Sequence, residues 1–564
     1  MRLLLLALLL LHPSSAAPVT VASLPTGARP ELARVARDTI AVRVSLSPDV
    51  AASAGLFDDA VAVPSFAPEV RARLVAQIEA DLDALRAMDS AGWTLDERID
   101  ARWSYAQLLE ARRRLVVERA WEHRPAEWLE PVANTYLAFL TYAPERPELR
   151  VGLTARLPAM LDELQAQLIQ PTARDVATAL GLLDSLAGMA ALDPESEGRA
   201  AALAAIAATR ARLAALTGLP EYTVIGEANY AWRLKHALLL PWTPDELLAL
   251  AQAELDRVDA QIAALQPRLL PPPTLTPEQQ AEAAALDQAA LLALYDGLVE
   301  EDLARIRAAR VLTVPAGMGP IHARPTPDAL IPLTGDGGSM NQAPTYSSSN
   351  VGYWNVEHCC DGWEPLAREA SITAFRYADV SGIGPYAVHE GVPGHHLQLS
   401  IARLNPDPLR SVLIDGPAVE GWALYAEQLF WEVGGFGDTP NAELFMLRSW
   451  RFRIRRVIYD VNVETGRWTL QQAADWKNEV APGQGHIDED LMRSINWPTQ
   501  LICYFTGKMQ ILALRERAQH PRKGRYKPVV FHDTLLGTGS VPLVMAGARL
   551  FGDPLPDLEP REAW

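Results

Sequence analysis

The stretch VHEGVPGHHLQ, Val388–Gln398, sets a His-Glu pair ahead of two adjacent histidines, with Pro393 and Gly394 in between. A zinc-binding HExxH helix carries two histidines four residues apart on one face, with a glutamate beside the first to activate water. Here the residue four after His389 is Pro393. Either the arrangement is no site, or the helix that carries it is broken to suit one.

Ligand geometry separates the two. Zinc takes histidine nitrogens at ~2.0 Å in a compact tetrahedron, so the ligating atoms must converge. On a regular helix His395 stands ~9 Å along the axis from His389, and His396 ~10.5 Å. Neither chelates with His389 from a straight helix. Pro393 lacks the N–H that would bond the carbonyl of His389, and Gly394 tolerates backbone angles closed to other residues. Together they predict a bulge. Absorbing two residues brings His395 to the second-ligand position, and absorbing three brings His396. The smaller distortion favours His395.

Downstream, DGPAVEGWALYAE (Asp415–Glu427) starts with Gly-Pro and continues as an amphipathic helix. A helix-loop-helix return of this length brings Glu420 beside the histidines. His389, His395 and Glu420 then hold Zn2+ and leave a fourth position for water, as catalytic rather than structural sites do. Glu390 becomes the general base, taking the water's proton and later giving it to the leaving amine. Glu427, about two helical turns further on, is read as a supporting or salt-bridging residue. The cluster Glu357-His358-Cys359-Cys360 is read as a packed loop with possible disulfide chemistry, because adjacent cysteines chelate poorly without further ligands.

The ends and composition limit the setting. Met1-Arg2, the apolar run LLLLALLLL and His12-Pro13-Ser14-Ser15-Ala16 follow the order of a secretory signal peptide covering 1–16. The apolar run is shorter than the ~20 residues a spanning helix needs. With no cysteine near the cut, no stable membrane anchor is expected, and the mature chain is placed in the periplasm or outside the cell. A formal net charge of −18 disfavours nucleic acid and anionic membrane as partners. Three cysteines, Cys359, Cys360 and Cys503, allow one bridge but no disulfide scaffold.

Most of the chain reads as helix. Apolar residues recur at helical spacing in 70–89 and 172–190. Thr94, Thr243, Thr276 and Thr469 each precede an acid or amide three residues on, the pattern of a capped helix start. Between about Val311 and Ile383 the texture turns to Gly, Pro, Ser and Asn, which predicts short strands and ordered loops. We therefore expect a helical part at 17–310 and a catalytic part at 311–564.

HEGVPGHHLQ (His389–Gln398), EGWALYAE (Glu420–Glu427) and FHDTLLGTGSVPL (Phe531–Leu543) together resemble the bacterial family catalogued as domain of unknown function 885. That family is similar to glutamate-liganded zinc peptidases of the thimet oligopeptidase and angiotensin-converting enzyme type. The resemblance implies a mainly α, zincin-like body split by a deep channel with zinc at its floor. It also implies His389, His395 or His396, and Glu420 as metal ligands, with Glu390 as the base. A lengthened histidine spacing has a parallel in dipeptidyl peptidases that carry HExxGH. Tyr504 and His532 fall in the family's C-terminal motifs and are candidates to stabilise an oxyanion, Tyr504 being the catalytic choice. One departure is Glu464, which stands where the family usually has histidine. Arg448, Arg451 and Arg455 form a stripe that could receive a peptide carboxylate, although salt bridges to the protein's own acidic surface are the simpler reading.

These readings predict an exported zinc metallopeptidase that hydrolyses short peptides. The alternatives are a zinc hydrolase of another amide or an ester, and a catalytically silent helical binding protein. The intact Glu390 argues against the silent protein, which has no use for a base.

Overall fold

The computed structural model describes residues 19–25, 27, 29–271, 276–285, 287–328, 331, 335–359, 383–520 and 525–561. The expected signal peptide and Cys360 lie outside the described residues. The protein is mainly helical. The helices relevant to the site are α1 (Pro30–Leu46), α2 (Leu95–Arg113), α3 (Ala126–Tyr142), α4 (Ala173–Ala191), α5 (Pro244–Leu265), α6 (Gln288–Ala309), α7 (His395–Arg403), α8 (Gly416–Glu432), α9 (Pro440–Glu464), α10 (Cys503–Gln519) and α11 (Pro528–Gly537).

Local chemistry sets where helices begin. Thr94 and Thr243 accept the backbone N–H of Glu97 and Glu246, and those glutamates return the bond to the threonine N–H. Thr469 with Gln472 and Thr276 with Gln279 repeat the exchange. Each cap satisfies donors that the first turn of a helix leaves unpaired. All four starts are those expected from sequence.

Packing then gathers the helices around several cores. The first joins α1 to α4, with Phe66 stacked on Trp121 at 5.3 Å and edge-on to Trp128 at 4.7 Å. A second joins Val299 and Ile306 of α6 to Val388, Val392, Leu397, Trp422 and Tyr425. A third joins Leu247 and Leu255 of α5 to Leu424, Trp450, Ile454 and Phe505. The second and third cores thus draw residues from both sides of residue 310. Helix α8 lies between them and is buried on nearly every face, which explains its apolar ALYA centre.

Two glycines let α8 and α10 cross at close range. A Cβ on Gly421 would stand 2.3 Å from Gly507 Cα, and one on Gly507 would stand 1.8 Å from Pro417 O. The crossing holds Glu420, next to Gly421, close to Tyr504, one turn before Gly507.

Strands are few and sit in the Gly- and Asn-rich region. β1 (Ile321–Pro325), β2 (Ser339–Asn341) and β3 (Gly352–Val356) form one sheet in the order β1-β3-β2. β1 runs parallel to β3 with Ile321 opposite Gly352, and β2 runs antiparallel with Met340 opposite Trp354. The start of β3 lies against the helix that carries the histidines.

Candidate metal centre

The backbone at the opening stretch breaks as ligand geometry requires. Ala387–Gly391 form a π-helical turn, Val392 is extended, and α7 begins at His395. Gly394 N–H donates to Val388 O at 3.0 Å, so the two extra residues are looped out within this bond. Trp422 Nε1 donates to Pro393 O at 2.8 Å and ties the bulge to α8. The Val392–Pro393 peptide is cis. Wide turns of this kind inside helices are frequent at functional sites.

Gly394 is required for steric reasons. A Cβ there would lie 2.0 Å from His389 O and 2.3 Å from Val388 O. These are backbone atoms of the turn that aims His389, so they cannot yield without moving the ligand. Gly394→Ala is expected to destabilise the fold by about 1–3 kcal/mol, the usual cost of overpacking. It should also weaken metal retention, whereas Gly188→Ala, at an exposed helical glycine with nothing near its Cβ position and no positive φ, should leave metal retention unchanged and serves as the control. Thermal unfolding and metal content of the two alanine variants check this.

The break brings His389 and His395 together. Their ring centroids are 4.8 Å apart and their planes cross at 87°. Glu420 completes the group, its Oε2 lying 3.7 Å from His389 Nε2 and 3.3 Å from His395 Nε2. Glu420 Oε2 is nevertheless buried and has no hydrogen-bond partner. Three electron-pair donors therefore converge without being bonded to one another. Four ligands at 2.0–2.2 Å in a tetrahedron stand about 3.3–3.6 Å apart, so the separations match a shared cation. His389, Glu390 and His395 also each present a ligand atom within 4.8 Å of the others.

His396 is turned away. Its Nε2 meets Gly319 O at 2.8 Å, and the ring packs against Gly352 at the start of β3. Burial pushes its pKa down to about 4, as for an imidazole kept neutral by its surroundings. Of the two histidines left open by the sequence, the backbone places His395, and not His396, beside His389 and Glu420.

The electrostatics call for positive charge. Glu390, Glu420 and Glu427 are all heavily screened from water, and buried carboxylates without compensation are costly. Burial lowers the His389 pKa, but the carboxylates of Glu420 and Glu427 beside its two nitrogens outweigh it and raise the value to about 10. Burial opposes ionisation of Glu420, yet the two histidines hold its pKa well below the usual carboxylate range. Burial raises the pKa of Glu390, which strengthens it as a base.

The groups around the cluster fix its orientation. Glu427 Oε1 bonds His389 Nδ1 at 2.8 Å, and its Oε2 accepts from Ser449 at 3.0 Å. A carboxylate on the far nitrogen of a ligating histidine sets the tautomer and points the other nitrogen's lone pair at the metal. Tyr504 stacks on His389 with centroids 6.2 Å apart. Its hydroxyl oxygen accepts from Arg493 Nη2 at 3.4 Å and Gln500 Nε2 at 3.5 Å, and Gln500 also reaches Glu420 Oε1 at 3.4 Å. The phenolic proton is left to donate elsewhere.

Other candidates fall outside the cluster. His532 is buried with both nitrogens engaged, one by Val311 O and one by Tyr425 OH, each at 2.8 Å. It braces α11 against α8. Glu464 is buried and accepts from Ile225 N–H at 3.2 Å, clamping that segment to α9. Arg451 pairs with Asp259 and Glu479, and Arg455 with Glu479, so these two arginines of the stripe are held by the protein's own acids. Glu357 accepts from Tyr295 and His358 meets Asp336, a packed loop rather than a ligand set. Cys503 is free and buried, so it forms no bridge. Ser449, Arg493 and Gln500 were not singled out from sequence, because their relevance depends on long-range packing.

A sequence profile matches residues 48–550 and so includes every residue of the cluster. The chain belongs to the family described as "Bacterial protein of unknown function (DUF885)". No protein of curated function matches it. Among solved structures it is similar to a "putative lipoprotein of unknown function" from Shewanella oneidensis, at 19% identity and a TM-score of 0.69, covering 91% of this chain and 98% of that one. It is also similar to "the putative lipoprotein from Colwellia psychrerythraea", at 16% identity and a TM-score of 0.68, covering 92% of this chain and 98% of that one. At these identities the likeness establishes a shared fold. Among the described residues no helix is long and apolar enough to cross a membrane.

Proposed function

We propose that this DUF885 protein is an exported zinc-dependent peptidase that hydrolyses short peptides, with an architecture of the glutamate-liganded helical zincin type. The observation that carries the reading is the convergence of His389 Nε2, His395 Nε2 and Glu420 Oε2 at 3.3–3.7 Å with Glu420 Oε2 otherwise unpartnered. Two imidazoles and one carboxylate suit zinc, and three protein ligands leave a position for water. Export is supported by the N-terminal charge and apolar pattern and by the descriptions of the two structural relatives as lipoproteins.

Zinc bound there would supply a Lewis acid that lowers the pKa of water and polarises a carbonyl. Glu390, beside the first ligand and buried, takes the water's proton and passes it to the leaving amine. Tyr504 donates its free phenolic proton to the oxyanion, while Arg493 and Gln500 hold its oxygen in place. Glu427 keeps His389 in the tautomer that ligates. The cluster is buried, so a substrate must thread to it as a narrow extended chain. Short peptides satisfy this, and folded proteins do not.

The test is cleavage of a mixed peptide library by the purified mature protein, read by mass spectrometry. Cleavage that stops on chelation and returns with zinc is expected. A protein that holds zinc but cleaves no peptide would contradict the peptidase reading.

A further inference from the structure

Helix α9 presents arginines on two faces. On one, Arg451 and Arg455 are neutralised by Asp259 and Glu479. The other carries Ser449, Arg453 and Arg456 at helical spacing and faces the cluster, since Ser449 bonds Glu427. Arg456 is committed to Asp490. Arg453 has no ion pair or hydrogen bond among the described residues, and its Nε is buried without a partner. Its charge nonetheless acts on Glu390 and Glu427.

A second guanidinium arrives from the helix Glu489–Asn496. Arg493 also lacks a carboxylate partner among the described residues. Its Nε is buried and unbonded, and its one hydrogen bond is the contact with Tyr504 OH. Arg453 Cζ lies 5.4 Å from the centroid of the Tyr504 ring, which in turn stacks 6.2 Å from His389. Two half-buried cations therefore flank one tyrosine, neither of them in an ion pair among the described residues. A partly desolvated cation without a counter-ion costs free energy unless an anion completes it.

We infer that Arg453 and Arg493 form the subsite for the C-terminal carboxylate of a peptide substrate. A carboxylate fits because guanidinium forks bind it through paired, charge-assisted bonds. The terminal carboxylate, rather than an acidic side chain, fits because the space behind the pair is filled. There Arg456 and Tyr459 both bond Asp490 and join α9 to the helix Glu489–Asn496. A chain can end at this point but cannot continue. At ~3.3–3.6 Å per extended residue, the ring contacts place the carboxylate a few residues from the scissile bond. The enzyme would then release short fragments from peptide C-termini.

This inference rests on the peptidase reading, and its test separates the two. The probe is a library of N-acetylated tetrapeptides made as free acids and as C-terminal amides. Retention is measured by ultrafiltration and mass spectrometry on full-length mature protein carrying Glu390→Gln, so binding is read without cleavage. Free acids are expected to be retained more than tenfold over the matching amides. Arg453→Ala and Arg493→Ala should each collapse that preference, Arg453→Lys should restore part of it, and Arg451→Ala should leave it unchanged. Equal retention of acids and amides, no retention of either, or a preference that survives the double alanine variant would overturn the inference. So would retention only of amides that contain Asp or Glu. Metal content of the same samples tests the zinc reading separately, because acid preference does not require the metal.

Discussion

Glu390→Gln is expected to lower peptide hydrolysis by about 10²–10⁴-fold, the usual contribution of a positioned general base, while zinc content and thermal stability stay at wild-type levels. Glutamine has nearly the same shape and cannot accept the water's proton. The residue is buried, 4% exposed, and its neighbours His389 and His395 are held by Glu420 and Glu427 rather than by Glu390. The ligand set should therefore survive. Burial already disfavours ionisation of this carboxyl, so the neutral amide carries no solvation penalty. Steady-state cleavage with metal analysis on the same preparation gives the answer. Activity within tenfold of wild type would remove Glu390 from the chemistry.

The second large effect distinguishes adjacent histidines. His395→Ala is expected to strip the metal, weakening affinity by more than the ~10–100-fold that loss of a group merely orienting a ligand costs. His396→Ala should retain the metal. It deletes a neutral buried ring bonded to Gly319 O and leaves that carbonyl unpaired, so the cost appears as about 1–3 kcal/mol of stability. Metal titration and thermal unfolding thus move in opposite variants. Metal loss in His396→Ala with retention in His395→Ala would mean that the bulge absorbs three residues instead of two.

The helical class, the capped helix starts and the meeting of His389 with His395 were all legible because each rests on short-range chemistry. Proline at 393 removes a specific N–H, glycine at 394 permits close backbone approach, and tetrahedral geometry forbids the alternative. The form of the break was less legible. A π-helical turn and a bond from Gly394 to Val388 accommodate the insertion, and both depend on Trp422 holding Pro393 from another helix. The arginines show the same limit more sharply. Spacing along α9 shows that Arg451 and Arg455 share a face. Which face meets Asp259 and which meets Tyr504 is set by α5 and α10, far away in sequence. Gly421 and Gly507 are likewise unremarkable in sequence, and only the helix crossing gives them a purpose.

The most direct test is a crystal of the purified mature protein measured on both sides of the zinc absorption edge. The account predicts one anomalous peak per chain, bounded by His389 Nε2, His395 Nε2 and Glu420 Oε2, with His396 still on the carbonyl of Gly319. No peak in zinc-supplemented crystals, or a peak ligated by His396, would contradict it.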